Sequence, residues 1–163
     1  MTIKLKAIIL TALVALILPI HALGQDKDTQ LIQSFYKDLY NDSISPETVV
    51  SKYIKYADQA LYQIAVNSVK DFRNPVDGKE GYFGELREAI IQNKYLLQHY
   101  KSFDKSERLK FQHLEEQLRQ GIYKVILNGS TRSTYILIRK SKVISFFGFQ
   151  KAGDDTYMFF VYQ

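Results

Sequence analysis

The most regular hydrophobic patterning lies at the C-terminal end of the chain. Four short apolar runs, 122–127, 131–138, 142–149 and 156–162, are rich in Val, Ile, Thr, Phe and Tyr, the residues that suit a pleated, half-buried surface. They are separated by Asn128-Gly129, by Arg139-Lys140-Ser141 and by the longer stretch 151–155. Asn-Gly is the strongest short hairpin signal, because both central residues of a type I′ turn need positive φ. The pattern predicts a four-stranded antiparallel meander with everything upstream covering it.

A two-residue loop at Asn128-Gly129 would set Leu127 opposite Ser130, Val125 opposite Arg132 and Tyr123 opposite Thr134. Opposed residues share a face. One face then carries Tyr123, Val125, Leu127, Arg132, Thr134, Ile136 and Ile138, and a turn at Lys140-Ser141 extends it with Val143, Ser145, Phe147 and Phe149. The other carries Ile122, Lys124, Ile126, Ser133, Tyr135 and Leu137, continued by Ile144, Phe146 and Gly148. Neither face is cleanly polar, as a sheet with one wet side would be. Both therefore need cover: helices on one, and more helix, a partner chain or a ligand cavity on the other. The longer loop at 151–155 leaves the register of the last strand open.

Upstream the period changes to that of helices. Leu31, Phe35 and Leu39 recur every four residues behind Asp28 or Thr29 as cap. Ser45-Pro46-Glu47 combines a capping hydroxyl, Pro at the first helical position and a carboxylate at the positive end of the dipole. Val49, Val50, Tyr53, Ile54 and Ala57 follow, and the pattern runs on to Val69 with a break at which Asp58 is a second cap. The breaker-rich stretch Asn74-Pro75, Asp77-Gly78, Gly81 and Gly84 reads as a loop. A further helix is expected from Glu85 through Leu96 and Leu97. Asp104 followed by Glu107 starts a last one carrying Leu109, Leu114 and Leu118, which Gly121 would end in the left-handed conformation.

The first residues change the picture of where the protein works. Lys4 and Lys6, the apolar stretch 7–20 and the small residues Ala22 and Gly24 have the layout of a secretory signal peptide, cleaved before Gln25. The expectation is a leader at 1–24, a single α+β domain at 25–163 and no stable membrane anchor after cleavage. The chain has no Cys, which for an exported protein points to a Gram-negative periplasm or secretion from a bacterium rather than to a disulfide scaffold. Without Lys4 and Lys6 the charge falls from +5 to +3, 20 basic residues against 17 acidic. Those bases are scattered among acids, so a nucleic-acid surface is not expected.

The chemistry is sparse. His99 and His113, both on predicted helices, form no HExxH pair, and no zinc set is evident. No nucleophile elbow occurs, the Gly-rich loop fits no phosphate motif, and Asp154-Asp155 reads as turn chemistry. No catalytic residue, metal or cofactor is implied, and the chain reads as more binding protein than enzyme. What stands out is the surplus of rings on the sheet. Arg132, Thr134 and Ser145 would place polar groups on the face that holds Tyr123 and Phe147, so these five are the candidate ligand-binding residues.

A helix such as that carrying Leu31, Phe35, Tyr36 and Leu39, more helices, then a terminal antiparallel meander resembles the NTF2-like superfamily, in the same broad layout as cystatin-like folds. The resemblance implies a curved sheet around a helix and a cone-shaped cavity used for small ligands, catalysis or dimerisation. Its early hairpin would have to lie at 76–83, and its acidic catalytic residues have no counterparts here. The expected function is an exported non-catalytic binding domain using the aromatic sheet face for a small apolar ligand or a protein partner, a homodimer included. The alternatives are an NTF2-like cavity enzyme, or an immunity- or inhibitor-type protein guarding against a toxin or hydrolase.

Overall fold

The computed structural model describes residues 26–75, 80–130, 133–146, 149–151, 157–159 and 161–162. The expected leader at 1–24 lies outside them, as do Arg132 and Phe147. Four helices come first: α1 (Lys27–Leu39), α2 (Pro46–Tyr53), α3 (Gln59–Arg73) and α4 (Glu80–Ile91). Then β1 (Tyr95–His99), a 3-10 turn (Tyr100–Ser102), α5 (Lys105–Leu109) and α6 (Glu116–Arg119) precede β2 (Ile122–Leu127), β3 (Ser133–Arg139), β4 (Lys142–Ser145), β5 (Phe149–Lys151) and β6 (Tyr157–Phe159). The class is mixed helix and antiparallel sheet.

Local chemistry accounts for most helix starts. The Ser45 hydroxyl accepts from the Thr48 amide at 3.1 Å, the Asp58 carboxylate from the Leu61 amide at 2.8 Å and the Asp104 carboxylate from the Glu107 amide at 2.8 Å. The first helix is capped two or three residues earlier than expected, by Asp26, which accepts from the Asp28 amide.

The second expectation to fall is the helix through Leu96 and Leu97. That helix stops at Ile91 because Asn93 takes the left-handed conformation (φ 53°). The Asn93 amide then donates to the Ile90 carbonyl and the Lys94 amide to the Ala89 carbonyl at 2.7 Å, the pair of hydrogen bonds that closes a helix end with Asn where Gly is commoner. The chain leaves it extended. It becomes β1, which pairs antiparallel with β2, Leu97 opposite Val125 and His99 opposite Tyr123.

The four-stranded meander therefore exists, but in the order β1-β2-β3-β4, with its fourth strand drawn from 95–99 and not from 156–162. The run 142–149 is divided between β4 and β5, and β5 pairs with β6 as a separate two-stranded sheet. The β2–β3 register is two residues longer in the loop than a tight Asn-Gly turn allows: Tyr123 pairs with Ile136 and Val125 with Thr134. A shift of two preserves the faces. Asn128 is not among the residues at positive φ; Gly129 is (φ 83°), and the type I′ geometry falls at Lys140-Ser141 (φ 51° and 56°).

Both sheet faces are buried, as expected of a sheet without a polar side. The first, with Tyr123, Val125, Leu127, Ile136, Ile138 and Val143, packs with Phe35, Leu39, Val50, Val69, Phe72 and Leu86 of the four helices. The second, with Ile122, Tyr135, Leu137 and Ile144, lies under Tyr100, Phe103 and Phe111 of the segment before β2. The last expected helix is broken here into α5 and α6. Leu109 is exposed, whereas Phe111 is fully buried with its ring 5.0 Å from that of Tyr135. A bulge at Leu137/Ile138 sets Ser145 opposite Leu137 and transfers Phe146 to the helix side, 5.0 Å from Phe35.

Candidate functional site

Of the five residues expected to bind ligand, Arg132 and Phe147 lie outside the described residues, and the other three are buried. Tyr123 is 2 % exposed and Thr134 is buried, two residue pairs along the helix-covered face. Ser145 is fully buried and, by its pairing with Leu137, belongs to the opposite face, a correction to the shared-face expectation that the bulge explains. Its hydroxyl has no hydrogen-bond partner among the described residues.

Two sheet tyrosines and one helix tyrosine reach carboxylates instead. The Tyr123 hydroxyl donates to Asp26, Tyr135 to Glu107, and Tyr53 to Asp38 at 2.7 Å. The bond from Tyr123 holds the Asp26 carboxyl below the ordinary aspartate value, against the opposing effect of burial. Burial and Asp26 raise that of the neighbouring Asp28. For Glu107, burial pushes upward, but Tyr135 and Lys124 (3.0 Å) together outweigh it and the carboxyl is lowered. Asp38 behaves alike between Lys52 (2.8 Å) and Tyr53. The Tyr123 hydroxyl is raised by burial and by Asp26.

An Asp26–Tyr123–His99 group invites a catalytic reading, since the His99 ring lies 4.8 Å from that of Tyr123. Its ring nitrogens are both engaged by backbone. Nε2 donates to the Gln120 carbonyl at 2.8 Å, an atom that can only accept, and Nδ1 accepts from the Lys101 amide. A histidine so held positions a strand end and has no ring nitrogen left for proton transfer. His99 lies at the end of β1 and His113 in the turn between α5 and α6, not on helices. Among the described residues no group of three or more His, Asp or Glu could hold a metal ion, and no helix is long and apolar enough to cross a membrane.

An apolar concavity lies elsewhere, beside the edge of the sheet. A groove of about 820 Å³ is bounded by α1, the 41–43 turn, the end of α4 and the start of β1. Tyr36, Tyr40, Ile90, Ile91 and Tyr95 form its walls, and Gln33, Lys37, Asn41, Asp42, Ser43 and Asn93 its rim. Ile91 is 63 % exposed there. Burial raises the Tyr95 hydroxyl, which stays protonated and able to donate.

The groove is held open by an arginine that the charge pattern did not single out. Arg73, at the end of α3 and 6 % exposed, donates to the carbonyls of Leu39 (2.6 Å), Ile44 (2.7 Å) and Asp38 (3.1 Å). It thus satisfies the orphan carbonyls at the end of α1 and fixes the turn that forms one wall. Arg87 extends the brace to the Arg73 carbonyl and to Asp42 on the rim. In sequence Arg73 is one basic residue closing a helix. Only the packing of α3 against α1 reveals its targets.

Compared with protein-family models, with curated proteins and with solved structures, the chain matches none.

Proposed function

We propose that this is an exported, non-catalytic binding domain whose recognition site is the tyrosine-walled groove between α1, α4 and β1, shaped for a small apolar ligand or for an apolar side chain of a protein partner. The observation that carries this reading is the groove itself, lined by three tyrosines and two isoleucines, of which Ile91 is exposed and Tyr95 half-buried, beside a rim of amides, a hydroxyl and the charged Lys37 and Asp42, the make-up of a small-molecule site. The sheet faces are filled by the chain's own side chains, so the binding surface moves from the face to the edge of the sheet. The NTF2-like resemblance is compatible in its order of helices before a meander. It loses its early hairpin, since Phe83 and its neighbours from Glu80 onward lie in α4. Export rests on the leader pattern at 1–24.

The test uses the mature chain with anilinonaphthalene sulfonate as probe. Wild-type protein should enhance its fluorescence saturably, and Ile91→Asp should weaken the affinity by about tenfold or more. Ile91 is mostly exposed, so that variant should keep the wild-type melting temperature. Saturable binding unchanged by the substitution, or no binding at all, would refute the reading.

A further inference from the structure

The two faces of the sheet are covered by different kinds of structure. On one, four helices share a large core with the strands. On the other lies a single stretch of chain, 100–120, whose longest helix has five residues. Only Tyr100, Phe103 and Phe111 of this stretch are buried. Their rings form a small cluster, Phe103 standing 5.6 Å from Tyr100 and 6.1 Å from Phe111. Together with Ile122, Tyr135, Leu137 and Ile144 they make a core of their own, which the sheet separates from the main one.

The backbone of the stretch is self-contained. Among the described residues its backbone-to-backbone bonds all close within 100–121, from the Phe103 amide on the Tyr100 carbonyl to the Gly121 amide on the Leu118 carbonyl, and none reaches a strand pairing. Side chains fasten it in two places. At its neck, His99 Nε2 donates to the Gln120 carbonyl at 2.8 Å and the Gln98 amide to the Ser102 carbonyl at 3.0 Å, so that β1 holds both ends. In its middle, Glu107 accepts from the Tyr135 hydroxyl of β3 and, at 3.0 Å, from Lys124 of β2. Ser145 shares the covered face through its pairing with Leu137. Its buried hydroxyl, without a partner among the described residues, is a cost of closure that hydration removes.

We propose that residues 100–120 form a lid that opens as one unit from its His99–Gln120 neck while the helix-backed side of the sheet stays folded, and that the Glu107 carboxylate is its latch. Opening uncovers Ile122, Tyr135, Leu137 and Ile144. Two separate cores let one come apart without the other, the condition for a sub-global opening. The groups that face Glu107 are Lys124 from β2, the Tyr135 hydroxyl from β3 and, within the lid, Lys110 at 3.7 Å. Asp104 is turned to the Glu107 amide as a cap, and Arg108 to the Lys101 carbonyl and the Tyr100 ring. Burial pushes the Glu107 carboxyl upward, but Tyr135, Lys124 and Lys110 outweigh it and hold it below the ordinary glutamate value. In the open lid it would return to that value. Closure is therefore favoured above the ordinary value and lost as pH falls through the lowered one.

The experiment is native-state amide exchange of the mature chain followed by NMR and expressed as protection factors, so that pH can be varied. The bonded lid amides of Phe103, Arg108, Phe111, Leu114 and Leu118 should share one protection factor, about a hundredfold or more below that of β2 and β3. Val50→Ala, in the main core, should lower protection of β2 and β3 about tenfold and leave the lid unchanged. Glu107→Gln should lower lid protection about tenfold at neutral pH and remove the fall that the wild-type lid shows on acidification. Tyr135→Phe, which keeps the ring in place, should lower lid protection in the same direction. Lid amides as protected as those of β2 and β3, weakened together with them by Val50→Ala, would make the protein one cooperative unit and overturn the proposal. So would lid amides that open piecemeal with unequal factors, or a weakly protected lid indifferent to both Glu107→Gln and Tyr135→Phe.

Discussion

Arg73 shows how much one side chain can carry when its position is right. Its fork meets two backbone carbonyls at the end of α1 and a third, of Ile44, in the turn that follows, geometry that a guanidinium offers and an ammonium does not. Removing it leaves those acceptors buried. Arg73→Met should cost about 2–4 kcal/mol of stability in urea denaturation, and Arg73→Lys nearly as much, where a surface arginine would cost about 0.5. Glu107 gives the corresponding test for pH. Its carboxyl lies below the ordinary value of 4.5 in the folded state. The stability it contributes is therefore fully present above that value and is lost as pH falls through the lowered one. Wild-type stability should drop as pH falls below the ordinary glutamate value, and Glu107→Gln should flatten that slope while lowering stability at neutral pH. At this scale the chain alone was readable for caps: Ser45, Asp58 and Asp104 declare themselves by local spacing. Arg73, the Tyr135–Glu107 pair and the Tyr123–Asp26 pair were not, because their partners lie 28 to 97 residues away.

Among the elements, the turns separate what composition suggests from what the sheet requires. Asn128-Gly129 carries the strongest hairpin signal, yet the β2–β3 connection is longer, and among its described residues only Gly129 uses positive φ. The tight turn with two left-handed residues is built from Lys140 and Ser141, which bear that conformation at a cost. Replacing them by Asn-Gly should raise stability by about 0.5–1 kcal/mol without altering the fold, read from the denaturation midpoint. Gly121 makes the opposite case. It was expected to end a helix at positive φ. Its real constraint is closeness to β3, where its carbonyl accepts from the Ile138 amide at 2.9 Å and an added Cβ would collide with the Ile138 carbonyl oxygen. Gly121→Ala should destabilise by more than about 2 kcal/mol, and Gly129→Ala, which meets no neighbour, by about 1. Strand and helix runs at 122–127 and 31–39 were legible because local period and burial agree there. The run through Leu96 was not, since two leucines after a helix look like more helix until Asn93 closes it.

For the whole molecule, the decisive feature is a sheet covered on both faces and, among the described residues, unpaired along its β1 edge. Amide exchange is the measurement that reads this directly. Amides of β2 and β3 should exchange most slowly, because those strands are paired on both sides and buried on both faces. Within β1 the amides of Leu96 and Gln98 should be protected, and those of Tyr95, Leu97 and His99 should exchange markedly faster. Slow exchange at all five would mean that the outer edge is already occupied. What the sequence determined unaided is the class of structure and the two-sided greasiness of the sheet, because a period of two or of 3.6 is a property of neighbours along the chain. Which strand became the fourth, which residues fell on which side of the bulge, and where the tyrosine-walled groove opened were decided by tertiary structure. Those outcomes depend on contacts between residues far apart in sequence, and no local pattern encodes which of several apolar runs will win a place at the edge.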